Sequence, residues 1–127
     1  MLAALRMVEA VAELAVRGEG PVWSVRIGLH SGPVAAGVVG VRKFAFDIWG
    51  NTVNLASRME SSGEVGRVNL SETTYGLVSE FIQCEERGEI QTKDKRNLRM
   101  YFAVGLRPGV EFETLYTTRF GVPPKKW

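Results

Sequence analysis

The chain has 127 residues, 45% of them hydrophobic, with one cysteine, one histidine, and sixteen Lys and Arg against fourteen Asp and Glu for a formal charge of +2. That balance excludes a general nucleic-acid or anionic-membrane binder, a lone Cys84 excludes an internal disulfide, and one cysteine beside His30 cannot build a zinc knuckle. The size suits one soluble domain with a modest core, in a reducing compartment.

Arg6, Glu9 and Glu13 interrupt the apolar N-terminus, and no apolar run reaches the ~18 residues of a membrane span, so neither a secretory leader nor a span is expected. From Leu2 to about Val16, Leu5, Val8, Ala12 and Ala15 recur at helical steps and predict an amphipathic helix that ends before Gly18. Trp23 to Leu29 alternates apolar and polar residues and predicts a strand. Val34 to Val39 and Lys43 to Ile48 predict two short strands, with Gly32 and Gly40 at the bends.

A helix is expected from Asn51 to Ser61, with Gly50 and Asn51 at its start and Gly63 beyond its end. Arg67 to Leu70 reads as a brief strand, and Ser71 with Glu72 opens a short helix to about Phe81. Ile82 to Gln91 and Leu98 to Val104 read as strands joined by the polar turn TKDKRN. From Arg107 the periodicity dissolves into RPGVEFETLYTTRFGVPPKKW, a wrap or linker. The expected division is therefore a domain over 1–106 and a tail over 107–127. Mixed strands and helices with hairpins indicate the α+β class, built on a mostly antiparallel sheet with helices on one side.

The helix over FDIWGNTVNLASRME poses the functional question. Val53, Leu55, Ala56 and Met59 fall on one side, whereas Asn54 and Arg58 stand one turn apart on the other. A solvated face explains such a pair, but a mid-helix Asn costs a few tenths of a kcal/mol (roughly) relative to Glu, Lys or Gln and brings no structural gain. Asp47, just before the helix, reads as a turn carboxylate or as a base reader. An ionised carboxylate only accepts hydrogen bonds, so it takes one from the exocyclic amine of adenine and repels the O6 acceptor of guanine.

Three runs carry a resemblance: VRIGLHSGPVAAGVVG (Val25 to Gly40), FDIWGNTVNLASRME and, more loosely, RGEIQTKDKRNLRMYF (Arg87 to Phe102). Together, over about Ala3 to Gly105, they resemble the second half of the class III nucleotide cyclase catalytic domain, the adenylate and guanylate cyclase family. The D-x-W-G followed by N-T-V-N-x-A-S-R is the specific part. The resemblance implies a partial ferredoxin-like cyclase domain lacking the first three family strands, and a head-to-tail dimer with ATP bound at the subunit interface. There the 3′-hydroxyl attacks the α-phosphorus and pyrophosphate leaves, giving cyclic AMP. It also implies that Asp47 reads the adenine amine, Asn54 orients the ribose and Arg58 meets the transition-state phosphate. Lys93 matches a lysine that meets the terminal phosphates, although T-K-D-K-R stands where the family has V-K-G-K-G. Asp94 removes a residue tolerant of positive φ, so Lys95 or Arg96 are alternatives, and a charged hairpin turn is the plain reading.

The same resemblance implies Mg²⁺ or Mn²⁺ in the complete enzyme, with ligands upstream of these residues. The chain itself has only two aspartates, Asp47 and Asp94, and no metal ligands are assigned in it. Without the upstream strands an edge and an apolar face are left open, which predicts a homodimer, a higher oligomer or a rearranged dimer. His30 is expected to pack or hydrogen-bond, Cys84 to lie in a strand, and Trp49 to sit in core or interface or to help form a purine pocket. The alternatives to a cyclase are a noncatalytic cyclase-like dimerisation or regulatory module and a generic α+β interaction domain. The expected location is the cytoplasm, alone or as a domain of a larger sensor.

Overall fold

The computed structural model describes residues 1–18, 21, 23–91, 97–111, 113, 114, 117 and 121. Lys93, Asp94, Lys95 and Arg96 lie outside the described residues. The elements in chain order are α1 (Leu2–Arg17), β1 (Ile27–Leu29), β2 (Ala35–Val39), β3 (Ala45–Trp49), α2 (Asn51–Ser61), β4 (Val68–Ser71), α3 (Glu72–Val78), β5 (Ile82–Gln91) and β6 (Asn97–Leu106). The α+β expectation holds. A four-stranded sheet runs β1-β4-β6-β5, parallel between β1 and β4 and antiparallel elsewhere, and β2 and β3 form a separate antiparallel hairpin.

Alternation along the strands divides the sheet into two faces. On one, Val68 and Leu70 of β4 lie opposite Ala103 and Tyr101 of β6, and these close a buried core with Ala4 and Ile82. Leu2, Leu5 and Val8 of α1 and Tyr75 and Val78 of α3 cover it, with the Tyr75 ring stacked on Tyr101 at 3.9 Å between centroids. Each large aliphatic side chain buried here stabilises the fold by about 1.5–3 kcal/mol.

The other face carries Gly28 and Asn69, neighbours across the β1–β4 ladder, and receives α2. A Cβ at Gly28 would lie 1.9 Å from the Glu60 backbone nitrogen, so only glycine lets the helix come this close. Met59 is wholly buried, and the buried Asn69 donates from Nδ2 to the Met59 carbonyl at 2.8 Å. That carbonyl belongs to the last turn of α2, where no intrahelical partner exists. The helices thus divide between the two faces, α1 and α3 on one and α2 on the other, which corrects the expectation that they share one side. A glycine and an amide present a helix backbone with space and a donor, while the apolar face suits the side chains of α1 and α3. Beyond α2, the guanidinium groups of Arg67 and Arg87 lie 4.0 and 5.1 Å from the Phe102 ring centroid and cover it in place of a helix.

The bounds of α2 and β5 match expectation, whereas β1 is confined to Ile27–Leu29 instead of beginning at Trp23. Its partner decides this: β4 starts only at Val68, upstream of Ile27 the contact narrows to an isolated backbone bond from the Gly66 N–H to the Val25 carbonyl at 2.8 Å, and Trp23 is exposed. The first helix ends at Arg17, before Gly18 as expected, and the left-handed conformation of Gly18 closes it.

Candidate functional site

The site is built on the consecutive elements β3 and α2. In β3, Asp47 lies directly opposite Gly37 of β2, so no side chain faces it across the hairpin. Trp49, two residues on, shares its face, and a Cβ at Gly37 would already touch the Trp49 ring at 3.4 Å. One Asp47 oxygen, Oδ1, accepts from the Ile48 N–H at 2.8 Å. The result is an exposed carboxylate on the same strand face as an indole that lies over Gly37.

Gly50 turns the chain from β3 into α2 with φ 128°, a conformation that disfavours any side chain, and it offers the helix no side-chain cap. Thr52 supplies a different tie: its Oγ1 donates to the Pro33 carbonyl at 2.6 Å. The first bonds of the helix run from the Val53 and Asn54 N–H groups to the Gly50 carbonyl. Along α2 the predicted division is observed, with Met59 buried, Val53, Leu55 and Ala56 half-buried, Asn54 exposed and Arg58 half-buried. Asn54 and Arg58 are separated by one turn, a rise of about 6 Å. Among the described residues neither side chain has a hydrogen-bond or ion-pair partner, whereas Arg26, Arg67 and Arg99 each engage a glutamate at 2.8, 2.6 and 3.4 Å.

Under the apolar side of α2, a cavity of about 100 Å³ is lined by His30, Leu55, Met59, Ser71 and Arg99, among others. His30 Nδ1 lies 2.7 Å from Ser71 Oγ, which accepts from the Thr74 N–H at 3.3 Å as the cap of α3, and Thr74 Oγ1 donates to Ser31 Oγ at 3.1 Å. Burial holds the His30 pKa below its ordinary value, which disfavours the charged ring in this network. Its role is the hydrogen-bonding one expected. Cys84 lies half-buried in β5, its thiol pushed up in pKa by burial.

The structure therefore places Asp47 and Asn54, exposed, and Arg58, half-buried, on two successive elements, and Lys93 falls outside the described residues. The Thr52 tie and the Asn69 bond escaped sequence reasoning, although an Asn inside the apolar run RVNL was a usable signal for the second. Hard divalent cations need several converging oxygen ligands. Among the described residues no group of three or more His, Cys, Asp or Glu side chains comes together, so the residues present do not fit a Mg²⁺ or Mn²⁺ site. Nor is any helix among the described residues long and apolar enough to cross a membrane.

Comparison with known proteins brings the rest. The sequence profile of the Adenylate and Guanylate cyclase catalytic domain matches residues 1–105. An adenylate cyclase of Mycobacterium tuberculosis is 41% identical over 102 residues, 80% of this chain and 23% of that protein. Human atrial natriuretic peptide receptor 2 is 39% identical over 109 residues, 84% of this chain and 10% of the receptor. Among solved structures, the guanylate cyclase domain of RhGC from Catenaria anguillulae in complex with GTP superposes with a TM-score of 0.74 at 32% identity, covering 82% of this chain and 57% of that one. The chain thus spans a quarter or less of these curated relatives and somewhat over half of the solved domain.

Proposed function

Because the chain belongs to the adenylate and guanylate cyclase catalytic domain family, matched over residues 1–105, we propose that it supplies the base-reading and phosphate-stabilising side of a nucleotide cyclase that converts ATP to cyclic AMP and pyrophosphate. The observation that carries this reading is the pair Asn54, exposed, and Arg58, half-buried, on α2, neither side chain with a hydrogen-bond or ion-pair partner among the described residues, directly after the strand that presents Asp47. Asp47 accepts a hydrogen bond from the adenine amine, with Trp49 against the ring. Asn54 holds the ribose so that the 3′-oxygen approaches the α-phosphorus in line with the departing pyrophosphate. As that bond forms, negative charge builds on the nonbridging oxygens, and the planar Arg58 fork donates hydrogen bonds to them. Lys93, which falls between β5 and β6 in the chain, neutralises the terminal phosphates. The divalent cations of the complete enzyme belong on ligands outside this set, and no step is assigned to them here.

The same reading includes an assembly. The hairpin exposes Val38, Phe44, Phe46 and Ile48 at 66%, 76%, 73% and 45% of their full accessibility, an apolar surface that suits burial in a homodimer or higher oligomer. It also places the cyclase domain at 1–106, with 107–127 as a tail, in the cytoplasm as a protein or as a domain of a larger sensor. The exposed hairpin equally favours a noncatalytic dimerisation module, and activity separates the two.

The test mixes the chain with a cyclase half that carries paired metal-binding aspartates and measures cyclic AMP and cyclic GMP with Mg²⁺ and with Mn²⁺. Cyclic AMP is expected to dominate. Assembly without either product would leave only the noncatalytic module, and a chain that elutes as a 14.0 kDa monomer under all conditions would remove the assembly.

A further inference from the structure

The hairpin that carries Asp47 leaves the body of the domain after Pro33 and returns at Gly50, where α2 begins. Both of its faces are exposed, and its strands pair only with each other among the described residues. Gly50, with φ 128° and no capping side chain, is a natural hinge at the return. Across the base of the hairpin runs the short bond from Thr52 Oγ1 to the Pro33 carbonyl, at 2.6 Å. It joins Pro33, two residues before the outgoing strand, to the first turn of α2. The neighbouring Gly32 has no side chain, and a Cβ there would lie 2.6 Å from Thr52 Oγ1, so the space for this bond is kept clear.

The far end of α2 is held independently. Asn69 engages the Met59 carbonyl at 2.8 Å, and the helix backbone rests on Gly28. The helix is thus fixed to the sheet at its C-terminal end, and the hairpin is fixed to the helix at its N-terminal end. We infer that Thr52 is a positioning residue: its hydroxyl latches the hairpin to α2 and so sets the separation between the base-reading Asp47 and the ribose-holding Asn54 and phosphate-side Arg58. This inference rests on the cyclase reading. A nucleotide bridges the two elements, with its base on one and its phosphates on the other, so a loose latch uncouples recognition of the base from stabilisation of the transition state.

Two measurements on the full chain test it. In the first, spin labels replace the exposed side chains Phe46 on the hairpin and Ser57 on α2, as Phe46→Cys and Ser57→Cys in a Cys84→Ser background, and the distance distribution between them is recorded. Thr52→Val, which keeps the shape and removes the donor, should broaden that distribution, Gly32→Ala should broaden or shift it by pushing on the hydroxyl, and Thr52→Ser should leave it unchanged. In the second, the unlabelled variants are combined with the metal-competent half. Thr52→Val should lower the rate with ATP about tenfold, the order expected for a modest misplacement of reacting groups, and should narrow the preference for ATP over GTP. Thr52→Ser should restore both, and the melting temperature should stay near that of the unsubstituted chain. An unchanged distance distribution in Thr52→Val, or an unchanged rate and base preference despite a broadened one, overturns the inference. If the unsubstituted chain yields no product, the cyclase reading and the catalytic role of Thr52 fall together, and a distribution that still responds to Thr52→Val identifies the chemistry, not the latch, as the part that failed.

Discussion

Arg58→Ala separates a catalytic guanidinium from a surface charge most sharply, because the structure bounds what the substitution costs the fold. Arg58 is half-buried, has no ion-pair partner among the described residues, and sits in the last turn of α2. A cation there interacts favourably with the helix C-terminal carbonyls by about 0.3–1 kcal/mol, and its methylene stem adds a little packing. The stability loss is therefore about 1 kcal/mol, a lowering of the melting temperature by a few degrees. The loss of a preorganised donor to a developing oxyanion costs on the order of 10²- to 10³-fold in rate, roughly 3–4 kcal/mol. The catalytic effect thus exceeds the structural one several-fold, and the two are measured separately. Initial rates of cyclic nucleotide formation by the reconstituted enzyme read one, and thermal melts of the chain alone read the other. Arg58→Lys sharpens the comparison: a point charge restores the helix-end interaction but not the two-pronged geometry, so stability recovers while the rate stays well below that of the unsubstituted enzyme. A rate for Arg58→Ala within about twofold of the original, where a loss of the order above is due, refutes the assignment.

Asp47→Asn replaces an acceptor-only group with one that also donates, so the preference for ATP should fall and turnover of GTP should rise, read as the ratio of the two kcat/KM values. Gly28→Ala should unfold the chain or lower its denaturation midpoint severely. A Cβ 1.9 Å from the Glu60 nitrogen must push α2 off the sheet, and overpacking of that kind typically costs about 1–3 kcal/mol or more; an alanine variant with an unchanged midpoint would contradict the packing described. His30, whose pKa burial lowers, binds a proton more readily in the unfolded chain than in the native one. Its contribution to stability is accordingly full above the ordinary histidine pKa and declines as pH falls through that value toward the native one, and denaturant titrations at neutral and mildly acidic pH should show this component vanish in His30→Gln.

Much of this protein follows from local pattern. The alternation of apolar and polar residues placed β5 over Ile82–Gln91, and glycines at both ends placed α2 over Asn51–Ser61, because strand and helix periods and capping preferences are properties of a short stretch of chain. The same periodicity put Asn54 and Arg58 on the side of α2 away from Met59, and the D-x-W-G and N-T-V-N-x-A-S-R runs indicated the family. The proposal of adenine at Asp47 likewise starts from the chemistry of one residue, since an acceptor-only group suits an exocyclic amine.

What local pattern does not contain is which surfaces meet. The length of β1 depends on where β4 begins, 41 residues later if counted from Ile27 to its ladder partner Val68. The passage of α2 to the face opposite α1 and α3 depends on Gly28 and Asn69 lying side by side across a parallel ladder, which no window of sequence reveals. The same holds for the ties at the two ends of α2: Thr52 finds the Pro33 carbonyl and Asn69 the Met59 carbonyl only after the hairpin and the sheet have formed. Hydrogen bonds between residues distant along the chain are consequences of closure, so sequence determined which groups face outward, and tertiary structure decided what holds them in place.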